Sequence, residues 1–206
     1  MHTFSFHKWL PATFVALLVL LPTSQLAAAP HYWLNSEQSQ LNFLTTKNGS
    51  VTEIQRFANV GARIRNYNEA ELMISLASVD TGIAIRDERL SKYLFEIENH
   101  PVATAKILLP PKMIDELVIG SPAVKSLDAE LSLHGKTVTL PVEVSVVKLP
   151  NESLQVSSLK PLLIRANDFS LLPGIEKLRT LAGLKSISPT VPVTFHLLFE
   201  VDTTTR

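Results

Sequence analysis

The residues best suited to chemistry are the histidines, and in this sequence they stand alone. Beyond residue 29 they are His31, His100, His134 and His196, each on a separate segment. No two of them have the short spacing typical of metal ligands, and no G-x-S-x-G segment marks a nucleophilic serine. Isolated histidines of this kind are mostly structural or solvated. The pattern therefore predicts no metal site and no catalytic triad.

The sequence also lacks the patterns of thiol enzymes and of nucleotide-binding proteins. It contains no cysteine, and its seven glycines stand singly, so they form no phosphate-binding loop. Acidic pairs such as Asp115 and Glu116 are typical of solvated surface. The 19 basic and 19 acidic side chains give no charge excess that would favour nucleic acid. We expect no catalytic activity, no metal or nucleotide cofactor and no nucleic-acid partner.

The N-terminal segment has the layout of a secretory signal. Lys8 precedes an apolar run over residues 9–21, and three alanines follow at 27–29. The run is shorter than the roughly 20 residues that a membrane span needs. We therefore predict a signal peptide over residues 1–29, cleaved near the alanines, and one domain over residues 30–206. A retained membrane helix is the alternative.

Alternation of apolar and polar residues dominates the predicted domain. It is clearest over residues 191–201, and it recurs over 127–133 and 138–146, with a glycine-containing gap between these two runs. Such a gap predicts a β-hairpin, and alternation favours antiparallel pairing. Further strands are expected at 41–43, 54–64, 72–76, 102–109 and 154–164. The count approaches eight, which leaves a barrel or a sandwich.

Two short segments have helical rather than strand spacing. Apolar residues recur at helical intervals over 86–95 and over 175–184. These helices would either cap a barrel mouth or fill a crossover. Pro141 and Pro192 fall inside strand patterns, and because proline cannot donate a hydrogen bond to a sheet, both positions are expected at edges or bulges.

Several sequence motifs, taken in their order along the chain, resemble those of a known family. Residues 33–43 resemble its first strand and residues 131–135 its central hairpin. Arg165, with Asp168 and Phe169, resembles its late strand-to-loop segment. The most specific motifs are SVDTG at 78–82, RDERL at 86–90, YLF at 93–95 and HPVAT at 100–104. Together they resemble the YceI-like family of exported polyisoprenoid-binding proteins over nearly the whole predicted domain.

This resemblance implies an all-β fold, an antiparallel eight-stranded lipocalin-like barrel with one or two short helices. It also implies an apolar tunnel for a long isoprenoid tail, such as that of a quinone or a polyprenyl lipid. The function expected from it is that of a periplasmic binding or carrier protein, with an inner-membrane protein as a further candidate partner. The alternative is a barrel filled by its own side chains, acting as a protein-interaction module in an envelope stress response.

The candidate binding residues follow from strand parity, because alternate side chains of a strand face the same side. Parity does not distinguish contact with a lipid from ordinary core packing. At the barrel mouth, Arg86 and Asp87 either meet a polar headgroup, or Asp87 lies in the first helical turn while Arg86 pairs locally. The predicted inward-facing residues are Phe43, Phe57, Leu72, Ile74, Leu76, Leu131, Leu133, Val142, Val144, Phe195, Leu197 and Phe199.

Overall fold

A computed structural model describes residues 31–201, which form one sheet of strand segments and two helices. The predicted signal peptide over residues 1–29 lies outside the described residues. The strands are β1 (Tyr32–Leu34), β2 (Gln40–Lys47), β3 (Val51–Phe57), β4 (Val60–Arg65), β5 (Glu69–Ser75), β6 (Val79–Asp80), β7 (Val102–Leu108), β8 (Pro122–Leu133), β9 (Lys136–Lys148), β10 (Leu154–Ser158), β11 (Leu162–Arg165) and β12 (Thr190–Val201).

The segments combine into a closed barrel of eight antiparallel strands. β1 and β2 both pair with β12, so they act as one strand interrupted by a 3-10 turn, Ser36–Gln38. In the same way β3 continues into β4, β5 into β6, and β10 into β11. The sheet closes because β1 pairs with β4 on one side and with β12 on the other. The predicted eight-stranded antiparallel barrel is confirmed.

The hairpin between β8 and β9 is also confirmed. Leu133 pairs with Lys136, and the two residues between them have positive φ, 49° at His134 and 72° at Gly135. Positive φ at both central residues is the requirement of a type I′ turn, whose twist matches that of the flanking strands. This turn fixes the register of the two longest neighbouring strands, β8 and β9.

Both prolines lie where a strand has a partner on only one side. Pro141 of β9 is opposite Asp128 of β8, while the pairing of β9 with β10 begins at Val144. Pro192 of β12 is opposite β11, and the pairing of β12 with β2 begins one residue later. The missing N–H therefore interrupts no ladder, as expected for proline at an edge.

The two helices lie in the connections after β6 and after β11. The first, α1 (Ala84–Arg89), continues into a π-helical turn, Leu90–Leu94. The second, α2 (Leu172–Leu181), begins three residues before the predicted start because Pro173 fits the first turn, where its missing N–H has no helical partner. α2 packs against the π-helical turn. No helix within residues 31–201 is long and apolar enough to cross a membrane.

Candidate functional site

The barrel encloses a cavity of about 540 Å³. This volume lies within the range of roughly 300–1,000 Å³ that is usual for small-molecule sites. Leucine, isoleucine, valine, phenylalanine and alanine make up most of its lining. An interior of this kind can take up an apolar molecule and offers few polar contacts to fix its orientation.

All the inward-facing residues predicted from parity line this cavity. Eleven of them lie on strands β2, β3, β5, β8, β9 and β12, and Leu76 lies in the 3-10 turn that follows β5. Strand alternation therefore predicts their inward orientation correctly. Their role as lipid contacts stays a prediction, because lining a cavity is not the same as binding. The residues are Phe43, Phe57, Leu72, Ile74, Leu76, Leu131, Leu133, Val142, Val144, Phe195, Leu197 and Phe199.

One end of the cavity is closed by buried side chains. Met113 and Ile114 lie in the connection between β7 and β8, are 6% and 1% exposed, and line the cavity together with Leu154. The start of this connection is tied to the β4–β5 turn, because the backbone N–H of Leu109 donates to the carbonyl of Asn68 at 2.9 Å. This closed end was not predicted from the sequence, because its residues follow neither strand nor helix periodicity.

The other end of the cavity meets solvent at the two helices. Ile83 and Ile85 line the cavity although they are 46% and 53% exposed, and Ala182, just after α2, is exposed and lines it too. The segment after α2 is held against the β2–β3 turn by two hydrogen bonds, from Asn48 N to Ser186 O at 2.9 Å and from Lys185 N to Asn48 Oδ1 at 2.8 Å. We call this opening the mouth. The helices thus stand at a barrel mouth, one of the two placements expected.

Charged side chains meet at the mouth around one carboxylate. Glu53 Oε1 lies 2.7 Å from Lys47 Nζ, and its Oε2 lies 2.5 Å from Arg86 Nη1. The hydrogen bond from Lys47, assisted by Arg86, lowers the pKa of Glu53 despite partial desolvation. Lys47 and Arg86 both line the cavity, as does Arg89. Arg86, predicted at the barrel mouth, lines the cavity there, and its contact with a headgroup stays a prediction. Lys47, Glu53 and Arg89 were not predicted.

A buried amide supports the position of the Glu53 carboxylate. Gln55 is 5% exposed, and its Nε2 donates to Thr45 Oγ1 at 3.1 Å and to Glu53 Oε2 at 3.4 Å. Because a carboxylate only accepts hydrogen bonds, the contact with Glu53 fixes which end of the amide is the donor. Thus Glu53 is held from the barrel wall as well as by the two cations.

Asp87 has a different place from its neighbour Arg86. Its Oδ1 accepts hydrogen bonds from the backbone N–H of Thr81 at 3.0 Å and from the Thr81 hydroxyl at 2.5 Å, and Asp87 is not among the cavity-lining residues. In the same loop Asp80 accepts from Gly82 N at 3.0 Å and from Arg56 Nε at 2.9 Å. These carboxylates hold the loop that leads into α1 in place. The SVDTG and RDERL motifs therefore position α1 at the mouth.

The histidines do not assemble into a site. The rings of His100 and His134 are in tilted contact, with centroids 4.5 Å apart, and His134 Nδ1 donates to the carbonyl of Phe169 at 3.2 Å. His196 Nδ1 lies 2.9 Å from the hydroxyl of Ser157 in an exposed contact. Across residues 31–201 no group of three histidine or acidic side chains is arranged to hold a metal ion.

Known proteins resemble this chain in sequence and in fold. A sequence model of the YceI-like domain matches residues 32–199. A polyisoprenoid binding domain from Saccharophagus degradans, implicated in plant cell wall breakdown, is 38% identical with a TM-score of 0.80, over 83% of this chain and 98% of that domain. BcnA from Burkholderia cenocepacia is 19% identical with a TM-score of 0.63, over 80% of this chain and 98% of its own, a likeness of fold alone. No curated protein matches the chain.

Proposed function

The chain belongs to the YceI-like family, and on this basis we propose that it is a binding protein that holds the tail of an isoprenoid lipid inside its barrel. The observation that carries the proposal is the apolar cavity of about 540 Å³, closed at one end and open at the mouth. Burial of each CH₂ group contributes roughly 0.8 kcal/mol, so an apolar tail gains affinity along its whole length. Binding of this kind needs no catalytic group.

The solved domain that shares 38% identity with this chain supports the same ligand class. That domain, from Saccharophagus degradans, is a polyisoprenoid binding domain and shares 38% identity with this chain over 98% of its own length. The long run of apolar lining fits a linear tail better than a compact ring system, because it extends from the exposed Ile85 at the mouth to the buried Ile114 at the closed end. Quinones and polyprenyl lipids both carry such tails, and we propose one of these two types as the ligand.

The alternative of a filled barrel requires an interior packed by its own side chains. In the structure Phe43, Phe57, Phe195 and Phe199 line the cavity and do not fill it. The cavity therefore favours a ligand-holding interior over an interaction module with a solid core, and the alternative gains no separate support.

The place of action is part of the proposal. The signal-like residues 1–29 motivate a periplasmic location, where the protein would carry or store a membrane-derived lipid after receiving it from the inner membrane or from a protein there. Fractionation of cells that produce the full chain tests this point. Recovery of a shortened chain in the periplasmic fraction supports it, whereas a full-length chain in the cytoplasm contradicts it.

The binding proposal itself is tested by the contents of the purified protein. The full chain is produced in cells, purified without detergent, and examined by native mass spectrometry and by mass spectrometry of a solvent extract. We expect a co-purifying lipid with an isoprenoid tail at up to one molecule per barrel. Protein that carries no lipid, and that takes up neither geranylgeraniol nor a short-chain quinone when these are added, would overturn the proposal.

A further inference from the structure

The mouth carries more positive charge than the protein itself balances. Lys47, Arg86 and Arg89 all line the cavity near its opening. Glu53 serves two of these cations at once. Arg89 forms no ion pair with any residue of 31–201, and its Nη1 reaches only the carbonyl oxygen of Leu181, at 3.5 Å. The three cations are therefore matched by one carboxylate, which contacts two of them.

These cations are not simply solvated surface charges. The side chains of Lys47 and Arg86 are 18% and 28% exposed, so a large part of each is removed from water. A cation that is withdrawn from water is stable only with a negative partner close by. Glu53 supplies one negative charge for two such side chains, and the remaining charge faces the cavity mouth.

The neighbouring carboxylates do not offset this charge. Glu71 also lines the cavity, but it pairs with Arg63 and Arg65 on the β4–β5 hairpin, whose turn lies at the closed end. Asp87 follows Arg86 in the chain, yet its carboxylate is engaged by Thr81 and lies outside the lining. Within the cluster formed by Lys47, Arg86, Arg89 and Glu53, two positive charges are therefore left without a paired negative charge.

We propose that the ligand ends in a phosphate monoester, which Arg86, Arg89 and Lys47 bind at the mouth while its isoprenoid tail lies in the cavity. This inference rests on the proposed function and adds the class of headgroup. A phosphate monoester carries a charge of about −1.5 to −2 at neutral pH, which matches the two uncompensated charges. The guanidinium fork of arginine suits paired phosphate oxygens, and lysine adds a point charge.

The test compares two ligands that share one tail. Geranylgeranyl monophosphate and geranylgeraniol are titrated into the purified full chain, stripped of lipid, and competition with a fluorescent apolar probe reports both affinities. We expect the phosphate to bind at least about tenfold more tightly than the alcohol, because hydrogen bonds to charged groups are the stronger ones. Inorganic phosphate alone, at the same concentrations, is expected not to bind.

Three variants locate the effect. Arg86→Gln and Lys47→Gln are expected to remove most of the preference for the phosphate over the alcohol, and Arg86→Lys is expected to keep part of that preference. Lys160→Gln is the matched control, because Lys160 is 69% exposed and pairs with Glu143 away from the cavity lining. It is expected to leave both affinities unchanged.

Each contrary outcome has a distinct meaning. Equal affinities for the phosphate and the alcohol would overturn the headgroup inference and leave the proposed function standing. If Arg86→Gln lowers the affinity for both ligands equally, the headgroup inference is also overturned, since the residue would then act on the barrel as a whole. Tight binding of inorganic phosphate would assign the cations to a free anion and contradict the lipid headgroup. Failure of both ligands to bind would instead remove the proposed function.

Discussion

Gly174 lies so close to the backbone of Tyr93 that a Cβ at this position would be 2.5 Å from the Tyr93 carbonyl oxygen. The Cα of Leu94 would be only 2.9 Å away. Both neighbours belong to the π-helical turn, so the absence of a side chain at Gly174 lets α2 pack directly on that turn. The two helical segments that flank the mouth thus hold each other in place.

Gly174→Ala is expected to destabilise the protein by roughly 1–3 kcal/mol, because the added methyl group meets backbone atoms, which cannot move aside as a flexible side chain can. Thermal unfolding followed by circular dichroism measures the change. Gly61→Ala is the control, since nothing lies within 4 Å of a Cβ there. If both variants melt at the same temperature, the close packing between α2 and the π-helical turn is not significant.

The barrel wall could be predicted from sequence because strand parity is strict. Neighbouring side chains in a strand point to opposite faces of the sheet, so Phe195, Leu197 and Phe199, which are two residues apart, must lie on the same face. The breaks within strands could not be predicted in this way. The predicted strand over 54–64 is divided at Asn59, whose N–H donates to the Ser78 hydroxyl at 2.9 Å, a contact made by a residue distant in sequence.

The mouth was only partly predictable for a related reason. Arg86 was identified by its motif. Lys47 and Glu53 lie on the β2–β3 hairpin, and Glu53, which pairs with Lys47, contacts Arg86 only in the folded barrel. Met113 and Ile114 at the closed end belong to a turn-rich connection without periodicity. A sequence pattern reports local geometry, and these groups are brought together by tertiary structure.

Filling the cavity is expected to weaken lipid binding without unfolding the barrel. Ala129 of β8 is 5% exposed and lines the cavity, so Ala129→Phe would occupy part of the space for a tail. We expect the affinity for geranylgeraniol to fall by about tenfold or more, at a stability cost of roughly 1–3 kcal/mol from overpacking. Competition with a fluorescent apolar probe measures the affinity.

A matched variant on the same strand separates filling from general damage. Val124 is 65% exposed and five positions before Ala129, so it has the opposite parity, and Val124→Phe adds bulk outside the cavity. It is expected to bind geranylgeraniol as the natural sequence does. Should Ala129→Phe fail to fold, Ala105→Leu, at another cavity-lining position, makes the same test with a smaller side chain. Unchanged affinity in a folded filled variant would place the ligand elsewhere.

Acid stability is expected to depend on Glu71. This carboxylate accepts hydrogen bonds from Arg63 Nε at 3.0 Å, Arg63 Nη2 at 2.6 Å and Arg65 Nη2 at 3.1 Å, and the Arg63 bonds are the main cause of its lowered pKa. Because the pKa is lower in the folded state than in the unfolded chain, the unfolded state binds the proton more readily. The stabilisation is therefore complete above the ordinary pKa of 4.5 and is lost as the pH falls through the folded value.

Glu71→Gln should consequently lower the stability near neutral pH by about 1 kcal/mol and reduce the loss of stability below the ordinary carboxyl pKa. Chemical denaturation at a series of pH values measures both effects. Glu143→Gln provides the comparison, since its ion pair with Lys160 is exposed and should contribute little. If the free energy of unfolding of Glu71→Gln depended on pH in the same way as it does for the natural sequence, the two arginines would not stabilise the fold through Glu71.

The central claim, that an apolar tail is buried in the barrel, is tested most directly by affinity as a function of tail length. Geraniol, farnesol and geranylgeraniol differ by single isoprene units and share one headgroup, so competition binding to the lipid-free full chain isolates the tail. The costs of ordering a ligand offset much of the free energy gained by burial, and the net gain in binding free energy is roughly 0.3 kcal/mol per non-hydrogen atom for ligands of this size. For the five carbon atoms of an isoprene unit, we therefore predict about a tenfold gain in affinity. Affinities that do not change with tail length would contradict burial of the tail in the cavity.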